Sequence, residues 1–183
     1  THSHADHLHG IDDLRSFSER RRESIPTFGN EETVAFIRRN YAYIFEDTAF
    51  RLGWGIPRLE LRVMHWPTYV AGVRVTPVPV SHGRRMILGY RVGNLAYLTD
   101  CNGIPRSSLL LLEGLDALVL DGLRHRPHPT HFNIEQALEV IEGLRPSRAW
   151  LTHLTHDVDH ADVEAGLPDH VRLAYDGLAI SST

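Results

Sequence analysis

The chain has 183 residues and a formal net charge of −4, with 42% hydrophobic and 23% charged residues, a composition typical of an ordinary globular protein. The negative charge disfavours a general nucleic-acid binder, which would show a basic face. No apolar run approaches the roughly 18 residues of a membrane span, so we predict a single domain over residues 1–183 without a membrane partner.

The first third of the chain is predicted to hold one helix between two irregular segments. Residues 10–29 are interpreted as a polar connection. Residues 29–47 are typical of a helix, because Asn30 can cap it, acidic residues occupy its first turn, and apolar residues repeat at helical spacing. Residues 48–68 are aromatic, basic and broken by glycine and proline, which favours a loop or short insertion near a site.

The remaining residues alternate short strands with helices, which indicates an α/β layered fold. Apolar runs predict strands at residues 70–83, 86–100, 117–122 and 148–154, with an edge strand at 172–180. A short helix or turn is predicted at 107–115, a helix at 131–146 that ends at Gly143 and Pro146, and a short last helix at 161–167. Asn133 and Gln136 stand in capping-box positions of the longer helix.

Histidine is the one over-represented residue, with 13 copies that are dispersed rather than gathered in a tag. The single cysteine, Cys101, has no partner for an internal disulfide, which favours a reducing compartment, and we predict a cytoplasmic protein. The chain begins with Thr1 rather than methionine, which indicates a fragment, a processed chain or a truncated gene model.

The first ten residues, THSHADHLHG, contain the pattern H-x-H-x-D-H, formed by His2, His4, Asp6 and His7. His2 and His4 are alternate residues of an extended or turning segment and are expected on one side of it. Asp6 and His7 stand past the turn, at the start of a helix, where they can point toward a second ion. Imidazole nitrogens and a carboxylate oxygen suit zinc and related divalent metals, so the pattern predicts a metal site.

Three further candidate ligands follow apolar strands, namely His82, Asp100 and His153. Active sites of α/β folds are built on the loops at strand ends. We expect His82 to complete a first ion, Asp100 to bridge two ions, and His153 to complete the second. Two ions roughly 3.5–4 Å apart can hold a shared hydroxide and clamp the attacking and leaving oxygens.

This constellation resembles that of the metallo-β-lactamase-fold hydrolases, and the resemblance covers nearly the whole chain, from His2 to Asp176. The resemblance implies a four-layer αββα sandwich in which His2, His4 and His82 hold one metal, Asp6, His7 and His153 hold the other, and Asp100 bridges them. In that family several strands precede the first histidine motif, so the opening strands are expected to be missing in front of Thr1. The two ions are expected to be zinc or manganese, with iron as an alternative.

The residues at the ligand positions narrow the range of reactions that this resemblance implies. A diiron oxidoreductase is expected to carry glutamate where His4 stands, and the commonest metallo-β-lactamases place a cysteine ligand where Asp100 stands. Cys101 follows Asp100 and is expected to be a small buried residue turned away from the metals. Thioesterases, lactonases, nucleases and phosphodiesterases remain.

His131, at the loop that leads into the predicted helix 131–146, favours phosphodiester chemistry. Phosphodiester cleavage expels a poor alkoxide leaving group, so a proton donor near the metals is valuable. In the nuclease and phosphodiesterase branch a histidine upstream of the last ligand is that general acid, and His131 matches it by position. The alternative is a histidine that bonds locally at the start of the helix. His125 and His128 are weaker candidates, expected to face solvent.

Five segments most closely resemble the phosphoribosyl cyclic-phosphate phosphodiesterases, a branch near RNase Z: THSHADHLHGIDDLR, SHG, YLTDCNGIP, DGLRHRPHPTHFN and LTHLTHD. The resemblance implies opening of a small cyclic ribose or nucleotide phosphodiester by a hydroxide between the metals, with Asp6 orienting it and His131 as the acid. His156 matches a ligand of an additional structural zinc in that branch. Arg84, Arg85 and Arg124, together with Arg126, are candidates to bind a second substrate phosphate.

Three alternatives stay open. A thioester or lactone hydrolase resembling glyoxalase II would have less need for an acid such as His131. A tRNA 3′-processing endonuclease shares the seven ligands, but residues 48–68 are too short for an arm that grips tRNA and the net charge is −4. A metal-binding, inactive paralogue is the non-enzyme alternative. The expected partner is a small phosphodiester substrate, and a homodimer would agree with the family.

Overall fold

The computed structural model describes residues 1–46 and 55–181. The chain divides into two compact units, Thr1–His65 and Trp66–Thr183, and each is described by itself. Among the described residues, no helix has the length and apolar character that crossing a membrane requires. The expectation of one domain over residues 1–183 stays a prediction.

The first unit is mainly helical and contains one small sheet. Its α-helices are α1 (Ala5–Leu8), α2 (Arg15–Arg21) and α3 (Glu31–Asn40), with 3-10 turns at His9–Leu14 and Ala42–Ile44. Its strands, β1 (Ile25–Gly29) and β2 (Leu59–Val63), pair in parallel, with Ile25 opposite Leu59 and Gly29 opposite Val63.

Two predictions for this unit are wrong. Residues 10–29, expected as a polar connection, contain α2 and β1. The described part of 48–68 contains β2 rather than only a loop, whereas residues 47–54 lie outside the described residues. Each strand has five residues with little burial, and each is defined by its pairing with the other. A partner more than 30 residues away leaves no local periodicity to detect.

The helix predicted at 29–47 is confirmed but is shorter than expected. Asn30 caps it, because its side-chain oxygen accepts a hydrogen bond from the Thr33 N–H at 2.8 Å. Val34 and Ile37 are buried. The helix ends at Asn40. Of the apolar residues that continue the helical spacing, Ile44 falls in the 3-10 turn Ala42–Ile44, and Tyr41 and Phe45 flank that turn.

The second unit is built on a seven-stranded sheet with the order β3-β4-β5-β6-β7-β8-β9. The strands are β3 (Thr68–Val70), β4 (Val73–His82), β5 (Arg85–Val92), β6 (Leu95–Leu98), β7 (Ala117–Asp121), β8 (Arg148–Thr152) and β9 (Val171–Leu173). The helices are α4 (Arg106–Leu109), α5 (Ile134–Leu144) and α6 (His160–Ala165), with a 3-10 turn at Leu110–Leu112. The predicted alternation of strands and helices is confirmed, and the last strand lies at the sheet edge as expected.

Tight turns divide the first two predicted strand runs into hairpins. Val70 pairs with Val73 across the turn Ala71–Gly72, whose residues have φ of 50° and 82°. Positive φ at both positions is what a type I′ hairpin turn needs. The same two-residue spacing closes the hairpins between β4 and β5 and between β5 and β6.

Helix α5 begins where the sequence places it and ends one residue beyond the expected glycine. Asn133 accepts from the Gln136 N–H at 2.9 Å, and the Gln136 side chain accepts from the Asn133 N–H at 3.1 Å, which completes the capping box. The last helical residue, Leu144, lies between Gly143 and Pro146, the two residues expected to end the helix. Arg145 follows it in the left-handed conformation, with φ of 51°.

The core of the second unit lies between the sheet and its helices. Fully buried apolar residues of β7 and β8, such as Leu118, Leu120 and Leu151, pack with Ile134 and Ile141 of α5. Burying a side chain of this size stabilises the fold by about 1.5–3 kcal/mol. The core therefore holds the central strands, and the loops that follow them, in fixed positions.

Strand direction brings five strand ends to one edge of this sheet. Strands β6 to β9 are parallel, and β4 runs in the same direction as β6 because both are antiparallel to β5. The carboxyl ends of β4 and of β6 to β9 therefore lie along one edge, which is where α/β folds place ligands.

Candidate metal centre

Four polar residues stand at this edge of the sheet, one at the end of each of the strands β4, β6, β7 and β8. They are His82 at the end of β4, Asp100 two residues after β6, Asp121 at the end of β7, and His153 directly after β8. Three of them are the ligands predicted in this half of the chain. The relative exposure of His82, Asp100 and Asp121 is 5%, 1% and 0%, and such burial of polar groups requires specific partners.

His82 is held in one tautomer by the backbone. Its Nδ1 lies 3.0 Å from the carbonyl oxygen of Thr130, and a carbonyl oxygen can only accept, so Nδ1 carries the proton. In the neutral ring, Nε2 then has the lone pair that a metal ligand needs. Histidines that bind metals commonly donate their other ring N–H to a carbonyl in this way.

Asp100 and His153 lie close together, and both have unusual backbone conformations. The Asp100 Oδ2 is 3.3 Å from the His153 Nε2, and the Thr99 hydroxyl donates to the Asp100 Oδ1 at 2.7 Å. Their φ angles are 57° and 61°, in the left-handed region that residues other than glycine seldom adopt. Such strain is typical of functional sites, where it aims a side chain at a required point.

Asp121 is a buried residue of the site that the sequence reasoning missed. Its Oδ2 accepts from the Cys101 N–H at 2.8 Å and lies 2.7 Å from the His131 Nδ1. Among the described residues, its buried Oδ1 has no hydrogen-bond donor. Burial raises the pKa of this carboxyl, and the hydrogen bond from His131 opposes that effect. Its position at the end of the predicted strand 117–122 follows the same strand-end pattern as the predicted ligands and would have identified it.

His131 lies among the other site histidines with its proton on the side of Asp121. Its ring stacks on His153 with centroids 4.8 Å apart and meets His82 edge-on at 4.9 Å. The Asp121 carboxylate can only accept, so the His131 Nδ1 donates to it, and Nε2 is the ring nitrogen directed away from Asp121. His131 is only 8% exposed, and its role as a functional histidine stays a prediction.

Cys101 is buried, as expected. Its Sγ lies 3.7 Å from the Leu98 carbonyl oxygen. Burial raises the pKa of this thiol, and Asp121 and Asp100 raise it further. The thiolate is the form that binds metals, so Cys101 contributes a small core side chain and its backbone N–H rather than a ligand.

The predicted ligands of the first unit form their own cluster. The His2 ring centroid is 4.3 Å from that of His4 and 4.4 Å from that of His7. The Thr1 hydroxyl lies 3.1 Å from the His2 Nδ1 and 3.2 Å from the His7 Nδ1. The His7 Nε2 is 3.2 Å from the Asp6 Oδ2. The H-x-H-x-D-H pattern thus brings three imidazoles and a carboxylate close together, in α1 and in the residues just before it.

Both units offer donors that fit a divalent cation. In the second unit, Asp121, His131 and His153 each present one ligand atom, and these atoms lie within 4.8 Å of one another. Imidazole nitrogens with carboxylate oxygens suit zinc, manganese and iron. The tautomer of His82 and the hydrogen bond to Asp100 supply the supporting contacts that such sites need. Divalent metal binding is therefore the chemistry that these residues support.

The predicted phosphate-binding arginines lie in different surroundings. Arg84 and Arg85 are exposed in and beside the β4–β5 turn. Arg124 is less exposed: its Nη1 lies 3.5 Å from Asp157, and its Nε donates to the carbonyl oxygen of Arg126. Arg124 is therefore already paired with a carboxylate.

The other predicted histidines differ in exposure. His125 is exposed, as expected, and its Nδ1 lies 2.6 Å from the Glu135 Oε1. His128 is half-buried, with its ring centroid 5.0 Å from that of His131. His156 is 97% exposed, with Nε2 3.4 Å from Asp157, and its role in an additional zinc site stays a prediction.

Comparison with known proteins agrees with this arrangement. A family model for the β-lactamase superfamily domain matches residues 1–154. The crystal structure of a new diphosphatase from the PhnP family is 37% identical, with a TM-score of 0.90 over 100% of this chain and 70% of that one. Human tRNase Z, short form, shares the fold at 18% identity, with a TM-score of 0.70 over 99% of this chain and 76% of that one.

One curated relative carries a different activity in its name. An octanoyltransferase from Porphyromonas gingivalis (strain ATCC BAA-308 / W83) is 34% identical over 185 residues. The match covers 97% of this chain but 36% of that protein, so the chain spans about a third of its length. The family match and the likeness to the PhnP-family structure lead to one conclusion: the chain belongs to the β-lactamase superfamily domain family, as a metallo-β-lactamase-fold hydrolase of the PhnP branch.

Proposed function

We propose that the protein is a dinuclear-metal phosphodiesterase that acts on a small ribose or nucleotide phosphodiester, cyclic ones included. His2, His4 and His82 would hold one ion, Asp6, His7 and His153 the other, and Asp100 would be shared. The family assignment supports this set, as do the imidazole cluster of the first unit and the strained, buried residues of the second. Zinc or manganese fits these donors, with iron as an alternative.

The observation that carries the proposal is the pair formed by Asp121 and His131. His131 stacks on the proposed ligand His153 and donates through Nδ1 to a buried carboxylate. That bond stabilises the protonated imidazole and points Nε2 away from Asp121. A proton held in this position is what a poor alkoxide leaving group requires, whereas a thiolate leaves with less help.

The residues of the chain have separate tasks in the proposed reaction. When bound, divalent ions supply a strong nucleophile at neutral pH and offset negative charge on the phosphate oxygens. Asp6 would orient the attacking water. His131 would give its Nε2 proton to the departing sugar oxygen, and Asp121 would keep the imidazole in the orientation for that transfer. Water would then return the proton to His131.

Basic side chains beside His131 support an anionic substrate. Burial lowers the pKa of His128, and the positive charges of His131, Arg124 and Arg126 lower it further. A place where cations already repel one another favours a bound anion. Arg84, Arg85 and Arg124 are the proposed contacts for a second substrate phosphate, and Arg124 would have to exchange its partner Asp157 for that phosphate.

The solved relative supports phosphoryl chemistry. The PhnP-family protein is a diphosphatase by name, at 37% identity and 70% coverage of its chain. The octanoyltransferase name belongs to a protein of which 36% is matched, and acyl transfer concerns a thioester or ester instead. A thioester or lactone hydrolase, a tRNA 3′-processing endonuclease and an inactive metal-binding paralogue therefore remain as competitors to be separated by experiment.

The test compares wild type with His131→Ala and His125→Ala. We expect the wild type to bind two metal ions per chain, measured by elemental analysis, and to cleave bis(p-nitrophenyl) phosphate and a ribose cyclic phosphate. His131→Ala should keep its metal and lose roughly 10²–10⁴-fold in turnover of the ribose cyclic phosphate. Its loss on the nitrophenyl ester should be smaller, because that leaving group needs little protonation. The exposed His125 is the matched control and should change neither value.

Other outcomes would contradict the proposal in distinct ways. Two bound metals with cleavage of an acyl thioester but no phosphodiester would assign the thioesterase alternative. Preference for a tRNA precursor would assign the endonuclease. Loss of metal in His131→Ala would make His131 a ligand, which the distance between its ring and His153 also permits. No activity on any of these substrates would leave the inactive paralogue.

A further inference from the structure

A small pocket opens beyond the ends of β8 and β9, beside the proposed ligand His153. Its volume is about 260 Å³, and it is lined by Thr152, His153, Leu154, Ala174, Tyr175 and Asp176. All six residues belong to the second unit. The space is below the roughly 300–1,000 Å³ typical of drug-sized ligands, so it suits one small ring rather than a large molecule.

The wall that carries Tyr175 and Asp176 is a turn anchored to the sheet. The Leu178 N–H donates to the Tyr175 carbonyl oxygen at 3.1 Å, and Gly177 has φ of 88°. A positive φ at the third position of such a turn is readily supplied by glycine. Leu178 and Ile180 then pack against the buried residues Ala117, Val119 and Trp150. The turn thereby holds its two exposed side chains in place before any ligand arrives.

The side chains of this turn offer hydrogen-bond acceptance and an aromatic face. In the described parts of the chain, no donor bonds the Asp176 carboxylate, and its side chain is exposed at the pocket. A carboxylate only accepts, and an acidic side chain at the end of a strand is a known partner of ribose hydroxyls. Tyr175 is 61% exposed, and its ring meets the His160 ring edge at 6.4 Å.

The surroundings of His131 carry charged groups of both signs. Asp176 lines the pocket together with His153, and His153 stacks on His131. His131 also lies near His128, in the loop that carries Arg124 and Arg126. Contacts between these imidazoles thus connect a pocket that contains a carboxylate to a loop that contains two arginines. A negatively charged group is repelled at the first and attracted at the second.

We propose that the pocket at Asp176 is the subsite for the neutral, hydroxyl-bearing sugar ring of the substrate, with Asp176 accepting hydrogen bonds from its vicinal hydroxyls. The inference rests on the proposed phosphodiesterase function and adds its orientation. The sugar ring lies toward Asp176, and any second phosphate lies toward the loop of Arg124 and Arg126. Asp176 is thus a specificity residue that touches substrate away from the bond that breaks.

The experiment removes the Asp176 charge by substitution and the sugar hydroxyls by the choice of substrate, separately and together. Three nitrophenyl phosphodiesters are compared on the metal-loaded chain: the uridine 5′ ester, its 2′-deoxy counterpart and the sugar-free methyl ester. Asp176→Asn should raise KM about tenfold for the uridine ester, as expected for a lost hydrogen bond to a charged group. The rise should be smaller for the 2′-deoxy ester, which keeps one of the two hydroxyls, whereas KM for the methyl ester and kcat for all three esters should stay near wild type. The matched control is Asp169→Asn, another exposed carboxylate of the same unit.

A binding measurement separates this proposal from the reaction itself. Calorimetry with ribose 5-phosphate and 2-deoxyribose 5-phosphate should show tighter binding of ribose 5-phosphate, and Asp176→Asn should remove that preference. If no phosphodiester is cleaved but the preference depends on Asp176, the proposed reaction fails and the sugar subsite stands. An equal rise in KM for all three esters, or binding that ignores Asp176, overturns the subsite.

Discussion

The two groups of proposed ligands are held in different ways. At the N-terminus, His4 and Asp6 are exposed, and α1 has only four residues, without a side-chain cap at its start. At the sheet edge of the second unit, Asp100 and Asp121 are almost inaccessible, and each follows a strand buried in the core. The first group makes contacts among its own side chains, whereas the second is positioned by the sheet.

This difference indicates how each group reaches its working geometry. A helix of one turn is marginal without tertiary support or a ligand, so we expect the N-terminal cluster to gain order from the metal. The strand-end residues already have an energetically unfavourable arrangement in the folded chain. The backbone is strained at Asp100 and His153, and the Asp121 carboxylate is buried. A change of one supporting group should therefore have a different effect in each region.

The largest effect in the preformed region is expected from Asp121→Asn. The variant keeps the size of the side chain and removes the charge that holds the His131 Nδ1 proton, so kcat on a ribose cyclic phosphate should fall roughly 10²-fold. Asp116→Asn, at the other end of β7, is the control and should keep wild-type kcat. The measurement is kcat together with metal content, which should not change.

Stability distinguishes this loss from unfolding. Burial raises the pKa of Asp121, so the stability linked to its protonation is complete at acid pH and is lost as pH rises through the folded-state value. At about pH 8 the buried charge is a net cost, and the neutral variant should unfold at the same or a higher urea concentration. A lower midpoint there, with equal losses on good and poor leaving groups, would make Asp121 a structural residue only.

A smaller effect should separate the two regions directly, through two matched substitutions. Thr1→Val removes the hydroxyl that contacts His2 and His7, and Thr99→Val removes the one that donates to Asp100. Thr1→Val should weaken metal binding about tenfold, as is typical when a group supporting a ligand is lost. Thr99→Val should have the smaller effect, because the backbone still fixes Asp100. Competition with a chromogenic chelator measures both, and the reverse order would refute the contrast.

The same contrast explains which parts of the site were predictable from sequence. The strand-end ligands follow from local pattern, since each polar residue directly follows an apolar run, as at His82 and His153. The hairpins and the capping box at Asn133 follow from local chemistry in the same way. Asp121 obeys the same pattern, but the apolar residues before it indicate only a buried core strand.

The features that were not predictable are the non-local ones. Strands β1 and β2 were missed because neither has an apolar face of its own, and each is defined by the other. The partners of His131 could not be read from spacing, because Asp121 meets it only through the sheet and the loop between them. The pairing of Arg124 with Asp157 arises in the same way, between loops after different strands.

The smallest expected effect tests how surface bonds hold the N-terminal region. The Tyr43 hydroxyl donates to Asp12 at 2.6 Å, which ties the turn after α1 to the segment after α3. Burial, followed by this bond and the Asp12 charge, raises the pKa of Tyr43 from 10.0 to about 12. The stabilisation is therefore complete below the ordinary value and is lost as pH rises through about 12.

Tyr43→Phe should remove the component near pH 12 from the tyrosinate absorbance titration and slightly lower the urea midpoint at about pH 8. The difference from wild type should shrink as the pH rises toward the pKa of Tyr43. Tyr69→Phe, at an exposed tyrosine of β3, is the control and should leave that component in place. Metal affinity should stay near wild type in both variants, because Tyr43 contacts the turn and not the histidines. A loss of metal in Tyr43→Phe comparable to that in Thr1→Val would show that the N-terminal cluster is held by the surrounding unit as well as by its own side chains.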